Sequence, residues 1–408
     1  MLFDIARSLK GKNTIIMTKQ VESITVIAGN YPAPGHPALV FVQQLVHAMI
    51  EQGIKVSVIA YQSVIHALVH GERLLPRHSK GLTDRGEEYD IYRPYTLSFG
   101  NRNLFPRLAK WFNRQAILSM VKRVNSDVLY AHFWSSALPV YKFAKANKLP
   151  LFVACGEGDD ALEQMVEAMP KEQQKELAMA VTGVVSVSSE NKRKCIKFGL
   201  STESNTSVFP NCVNTNLFYK LDVPELKQKL GIKKTDFVIC FVGSFTNRKG
   251  PDRVAQAIKK LNDPNIKVMF IGKPFKGYNS DFDCPGIIHK GTLDHELLPM
   301  YINCADVFVL PTLKEGCCNA IVEALAIGLP VISSEGPFND DILDEKNSIR
   351  IDPCDIEAIA GAIGKLRDDI ALRQSMSEYS LAHDYSIVGR AKRILTFMNK
   401  RIENLFII

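Results

Sequence analysis

Glu315 and Glu323 stand with seven residues between them in the segment Pro311-Thr-Leu-Lys-Glu-Gly-Cys-Cys-Asn-Ala-Ile-Val-Glu-Ala-Leu-Ala-Ile-Gly-Leu-Pro330. An apolar run, Val307 to Leu310, precedes them and ends at Pro311. A helical pattern follows and stops at Gly328, with Pro330 just beyond. One carboxylate therefore lies at a strand-to-helix turn and the other about two helical turns deeper. In a parallel α/β sheet such turns lie on the ligand side. The two carboxyls of a glycosidase sit roughly 5 to 9.5 Å apart, whereas eight residues of helix rise about 12 Å. A division of labour fits the spacing better. Glu315 contacts a sugar hydroxyl, Glu323 accepts bonds from a ribose diol, and the amides of Asn319 and Ala320 at the helix start hold a phosphate. The plainer alternative is a charge that favours the helix dipole and a second, surface carboxylate.

Arg248 and Lys249 lie in the loop Gly243-Ser-Phe-Thr-Asn-Arg-Lys-Gly250, just before a helical pattern from about Asp252. Two cations beside a helix N-terminus suit a diphosphate leaving group; two solvated charges on a surface loop are the alternative. His132 ends an apolar run, where it either faces a cleft as a hydrogen-bonding or acid/base group or is a satisfied structural histidine. In the loop 31–37, Gly35 permits close backbone approach to a ligand. That loop is not GxGxxG, which argues against a nicotinamide or flavin enzyme. Asp281-Phe-Asp283 lies in a polar turn. His66 and His70 have zinc-ligand spacing but neither the glutamate of HExxH nor a third ligand. No metal site is expected.

These side chains need a scaffold. Residues 23–29 form an apolar run, followed by a Pro/Gly loop and a helical face of Leu39, Val42, Leu45, Val46 and Met49. A second run, 55–60, completes a βαβ unit, so the sheet should be parallel. Further strands are expected at 127–131, 151–155 and 183–188. The theme restarts at 237–243, 267–272, 287–288, 306–310 and 330–333. The expected division is an N-terminal extension (1–20), a Rossmann-like acceptor domain (21–210), a Rossmann-like donor domain (211–384) and a C-terminal helix (385–408) that returns to the first domain. The fold class is α/β, two doubly wound domains facing a cleft.

With 408 residues, two domains are the expectation. Hydrophobic content of 46% and charged content of 23% are those of an ordinary globular protein. The net charge of +7 mildly favours anionic partners such as nucleotides or acidic lipid. No basic, aromatic-interleaved tract points to nucleic acid. Nine cysteines without a CxxC read as reduced thiols in a cytoplasmic protein. No apolar run approaches the ~18 residues of a membrane span, and the first 20 residues do not read as a signal peptide.

Together these motifs resemble a family-4 glycosyltransferase of the GT-B architecture, from about Ile24 to about Tyr385. The most specific part is Glu315-Gly-Cys-Cys-Asn-Ala-Ile-Val-Glu323, continuing to Ala324-Leu-Ala-Ile-Gly-Leu-Pro-Val-Ile332. It is similar to the family's E-x7-E element and helix end. The Gly243 to Gly250 loop, Pro311-Thr312, Pro210-Asn-Cys-Val-Asn214 and Val185-Ser-Val-Ser188 are similar too. The stretch around Phe41 resembles the subgroup that builds teichuronic acid, capsule or exopolysaccharide. The resemblance implies retaining transfer from a nucleotide-diphosphate sugar, UDP preferred, with no cofactor and no obligatory metal. Carried over, Glu315 contacts the donor sugar, Glu323 the ribose, Lys249 the diphosphate, and His132 lies near sugar and acceptor. The wider donor set is Arg248, Gly243, Ser244, Gly316, Cys317, Cys318, Asn319, Ala320, Gly272, Thr292 and Leu293. Gly35, His36, Glu157 and Asp159 are the candidates on the acceptor side. The family's usual Gly-Arg at the head of the basic loop is Gly243-Ser244 here, and the arginine sits at Arg248.

Residues 101–124 mix Leu104, Phe105, Leu108, Trp111 and Phe112 with Arg102, Arg107, Lys110, Arg114, Lys122 and Arg123. Such a helix either lies on anionic lipid, bringing the site to a lipid-linked acceptor, or is a domain helix with a solvated basic face. The expected location is the cytoplasm, at the inner face of the membrane. Two rivals differ in outcome: a GT-B sugar-nucleotide epimerase needs no acceptor, and a non-catalytic binder needs neither Lys249 nor His132.

Overall fold

The structure, a computed structural model, describes residues 20–29, 31–33, 39–97, 106–157, 160–275, 277–278 and 281–406. Its first sheet has eight strands in the spatial order Thr206–Val208, Gly183–Ser186, Leu151–Cys155, Val128–His132, Ser23–Ala28, Lys55–Ala60, Glu88–Tyr92 and His78–Leu82. All neighbours are parallel except the last pair, which is antiparallel. The central strands are Val-, Ile- and Ala-rich and buried on both faces, as a helix-covered parallel sheet requires.

The second sheet has six parallel strands, in the order Ile287–Gly291, Ile266–Ile271, Phe237–Val242, Val307–Leu310, Val331–Ser334 and Ser348–Ile351. Each sheet has a point where the direction of winding reverses. In the first it falls between Ser23–Ala28 and Val128–His132, and in the second between Phe237–Val242 and Val307–Leu310. Crevices at the carboxyl ends of such strand pairs are where doubly wound folds take their ligands. His132 ends Val128–His132; the basic loop follows Phe237–Val242, and Pro311 follows Val307–Leu310.

The terminal helix, Ile387–Phe406, packs on the first domain. Ile387, Ala391, Ile394 and Met398 share a core with Val26, Leu45, Met49 and Phe152. The chain thus crosses the cleft twice, at residues 209–213 and again before Ile387, where Val213 and Ser386 bridge. Polar contacts also join the two domains. Ser189 donates from its backbone N and its Oγ to Asp341, each at 2.6 Å, and Lys314 pairs with Asp160.

Candidate active site

Lys249 is placed by a turn and a helix start. Its backbone N donates to Thr246 Oγ1 at 3.2 Å, and Gly250 adopts the left-handed conformation (φ 72°) that opens the helix Pro251–Leu261. A Cβ on Gly250 would also meet the Arg253 guanidinium, so both backbone and space call for glycine. Buried Arg253 ties the loop to the next strand end. Its Nη1 donates to the Asn247 carbonyl at 2.8 Å and its Nη2 to the Pro311 carbonyl at 2.7 Å. The Leu313 amide donates back to the Arg248 carbonyl at 2.8 Å. The basic loop and the glutamate loop therefore form one hydrogen-bonded unit.

Glu315 hangs from that unit. Its Oε1 accepts from Thr312 Oγ1 at 2.7 Å and pairs with Lys249 Nζ at 2.6 Å, with Arg248 Nη1 at 3.4 Å. The side chains of Lys249 and Glu315 are only 13% and 10% exposed, so water screens this pair far less than a surface pair. Burial works against the Lys249 ammonium, but the Cys318 sulfur and the Glu315 carboxylate outweigh it and raise the pKa above the ordinary lysine value. Lys249 is thus a cation at neutral pH. Burial pushes the neighbouring Cys318 thiol up, against the pull of the Lys249 ammonium.

The helix Asn319–Ile327 begins beside this pair. Its N-cap, Cys318, makes no side-chain cap bond among the described residues; its carbonyl takes the Ile321 and Val322 amides, each at 3.2 Å, which leaves those of Asn319 and Ala320 to a ligand or water. Asn211, from the interdomain crossing, donates through Nδ2 to the Cys317 carbonyl at 3.1 Å and to Asn319 Oδ1 at 2.8 Å. Gly316 lies so close to the first domain that a Cβ there would come within 2.7 Å of the Gly156 carbonyl.

Across the cleft, His132 is 93% buried, with both ring nitrogens unpartnered among the described residues. Its ring stands 5.4 Å from that of Phe41 and 4.3 Å from that of Phe133. Burial, aided by the charge of Arg390, lowers its pKa to about 3. The imidazole is therefore neutral at physiological pH, one nitrogen a donor and the other an acceptor, and not a proton donor in acid form. Phe133 holds φ 72° and ψ 156°, an uncommon conformation for a residue with a Cβ, at the turn that aims the strand end into the cleft.

One cavity of about 430 Å³ gathers these groups. Glu315, Lys249, His132, Arg248, Gly243, Ser244, Gly316, Cys317, Cys318, Asn319 and Ala320 all line it. Five candidates do not. Glu323 lies further along its helix, half-buried, with no hydrogen bond among the described residues; desolvation raises its carboxyl to about 7. Gly272 serves packing, because a Cβ there would strike the Gly243 carbonyl. Thr292 is exposed and Leu293 packs against the second core. Glu157 is turned to the backbone, accepting from the amides of Trp134 at 3.2 Å and Gly156 at 3.0 Å. Gly35, His36 and Asp159 lie outside the described residues. Sequence reasoning missed Arg253, Asn211 and Arg390. The last is a buried cation of the terminal helix that lines the cavity; its signal was an arginine set among the apolar positions Ile387, Ala391 and Ile394.

Comparisons with known proteins agree with this architecture. Residues 38–217 match the model of Glycosyltransferase Family 4, and residues 222–383 match that of Glycosyl transferases group 1. The chain is 25% identical to the UDP-Gal:alpha-D-GlcNAc-diphosphoundecaprenol alpha-1,3-galactosyltransferase of Escherichia coli, over 68% of this chain and 76% of that one. It is 28% identical to the capsular polysaccharide biosynthesis glycosyltransferase CapM of Staphylococcus aureus, over 48% of this chain and 54% of CapM. Among solved structures, Anabaena Alr3699/HepE in complex with UDP superposes with a TM-score of 0.69 at 14% identity, covering 93% of this chain and 100% of that one. Two family models meeting just past the first interdomain crossing, over two doubly wound domains, place this chain among the family-4 glycosyltransferases of the GT-B architecture.

Proposed function

We propose that this chain moves a sugar from a UDP-sugar to a lipid-linked or glycan acceptor in cell-surface polysaccharide biosynthesis, with retained anomeric configuration and no obligatory metal ion. One observation carries this most of the way: the buried Lys249–Glu315 pair stands beside an uncapped helix start, in a cavity shared by the strand ends of both domains. As the bond from the anomeric carbon to the phosphate oxygen breaks, charge grows on the phosphate while the sugar gains oxocarbenium character. Lys249, Arg248 and the amides of Asn319 and Ala320 offset that charge in a site partly shielded from water. Glu315, held by Thr312 and Lys249, meets a sugar hydroxyl. Neutral His132 gives one donor and one acceptor to the sugar or the acceptor hydroxyl. Glu323 takes the ribose.

The E. coli relative is named for a UDP-galactose donor and a diphosphoundecaprenol-linked acceptor, and HepE was solved with UDP. The first supports a UDP donor and a lipid-linked acceptor here, and the second agrees with a UDP donor. Among the described residues no helix is long and apolar enough to cross a bilayer. Contact would instead come through the helix Pro106–Val124, where Leu108, Trp111 and Phe112 are 64%, 57% and 44% exposed beside Lys110 and Arg114.

Thermal unfolding tests the donor half. A ligand that binds only the folded state raises its apparent stability. UDP and one UDP-sugar should raise the melting temperature by several degrees, while uridine, lacking the diphosphate, should not. A panel in which no nucleoside diphosphate of any base shifts the transition would refute the donor site.

A further inference from the structure

If the cleft transfers a sugar as read above, one of its cations has no task. Arg390 is 5% exposed and lines the same cavity as His132. Its Nε and Nη2 both donate to the Phe209 carbonyl, each at 3.2 Å. No carboxylate meets it among the described residues, and its Nη1 donors make no bond there. A buried guanidinium with one neutral carbonyl partner is incompletely compensated. Its surroundings are similarly unfinished. Both nitrogens of His132 and the hydroxyl of Tyr130, two positions back on the same strand, are buried without partners among the described residues. The Arg390 charge is felt at both side chains.

The other cations of the cavity sit on the opposite wall. Lys249 and Arg248 belong to the second domain, beside Glu315 and the open helix start, where the diphosphate is expected. Arg390 comes from the helix packed on the first domain. The cavity thus has one cationic wall matched to the diphosphate and a separate cation with nothing to balance it.

We propose that Arg390 binds an anionic oxygen group of a substrate, a carboxylate or phosphate other than the donor diphosphate, with His132 supplying adjacent hydrogen bonds. The planar fork of arginine suits either oxyanion. The group is carried by the transferred sugar, as in a uronic acid, or by the acceptor.

Calorimetric titration of the full chain decides, using wild type, Arg390→Gln and Arg390→Lys. The ligand pairs are UDP-glucose against UDP-glucuronate, and glucose against glucose 1-phosphate, the latter with UDP saturating. Wild type should favour the charged member of one pair at least about tenfold, as expected for hydrogen bonds to a charged group. Arg390→Gln should abolish that preference while leaving UDP affinity unchanged. Loss of the glucuronate preference assigns the anion to the transferred sugar; loss of the glucose 1-phosphate preference assigns it to the acceptor. The proposal is overturned if wild type shows no preference in either pair. It is also overturned if Arg390→Gln weakens UDP and every other ligand alike, the mark of a clamp on Phe209 or of a third diphosphate ligand. Should Arg390→Gln not fold by circular dichroism, Arg390→Lys decides: one ammonium cannot replace the fork, so an undiminished preference overturns the assignment. Absence of UDP binding in wild type would defeat the donor reading alone, because the glucose and glucose 1-phosphate pair is also titrated without UDP and there tests Arg390 independently of the nucleotide.

Discussion

At Glu323 the proposed ribose role would couple protonation directly to ligand binding. Desolvation lifts its carboxyl to about 7, whereas an unfolded glutamate titrates near 4.3. Between those values the unfolded chain is ionised there and the folded one holds a proton, so this group makes stability fall as pH rises from about 4.3 to 7. Glu323→Gln should therefore match wild-type stability at pH 4 and exceed it at pH 8, measured by urea unfolding. If the carboxylate accepts ribose hydroxyls, binding also expels its proton. Wild-type UDP affinity should then strengthen from pH 6 to pH 8, and the glutamine variant should bind weakly with a flat profile. A wild-type affinity that is level across this range would count against the ribose role. Glu315, Lys249 and His132 were legible in sequence because each ends or soon follows an apolar run, on the side of the sheet where a doubly wound fold takes its ligands. Arg253 and Arg390 were not, because their meaning depends on carbonyls 58 and 181 residues distant.

Among the elements, the buried parallel strands were the most legible. Lys55–Ala60 and Leu151–Cys155 fall on the apolar runs that announced them, since burial on both faces leaves few polar residues to blur the ends. The antiparallel edge pair Glu88–Tyr92 and His78–Leu82 escaped notice. In His78–Leu82 exposed residues alternate only with half-buried ones, and in Glu88–Tyr92 just two of five positions are buried, a weak signal beside charged turns. The helix Pro106–Val124 was foreseen as a basic and aromatic stretch, but the fold divides it. Lys122 and Arg123 turn back onto the rings of Phe143 and Tyr92, each 5.7 Å from the ring centroid. Leu108, Lys110, Trp111, Phe112 and Arg114 remain at the N-terminal part, with Lys110 and Arg114 at the rim of a second cavity. If this end meets lipid, the chain should float with vesicles containing phosphatidylglycerol at low salt and be released by raised salt. The double substitution K110E/R114E should lower that partitioning by more than about tenfold, at about 1 kcal/mol per basic residue removed. Equal flotation with neutral vesicles, or none at low salt, would remove the helix from the account.

At the scale of the whole molecule, two sheets with separate cores put their reversal points on one cavity, and the terminal helix fastens the arrangement by returning to the first domain. The two-domain plan was readable because the strand–helix alternation restarts after residue 208. How closely the halves approach was not: the Gly316 approach to Gly156 and the bonds from Ser189 to Asp341 depend on where the crossings let the domains meet. Catalysis in that cleft should depend on the Lys249–Glu315 pair and not merely on donor binding. The most direct measurement is sugar transfer from the UDP-sugar that stabilises the protein to a polyprenyl diphosphate-linked sugar. Wild type, Lys249→Ala and Glu315→Ala would be compared, with product configuration read by NMR. The account predicts a product of retained configuration from wild type, and a fall in kcat of at least about a hundredfold in each folded variant, the scale of losing one group that stabilises developing charge. Near-normal turnover in either variant, or a wild type that only isomerises its donor, would contradict it.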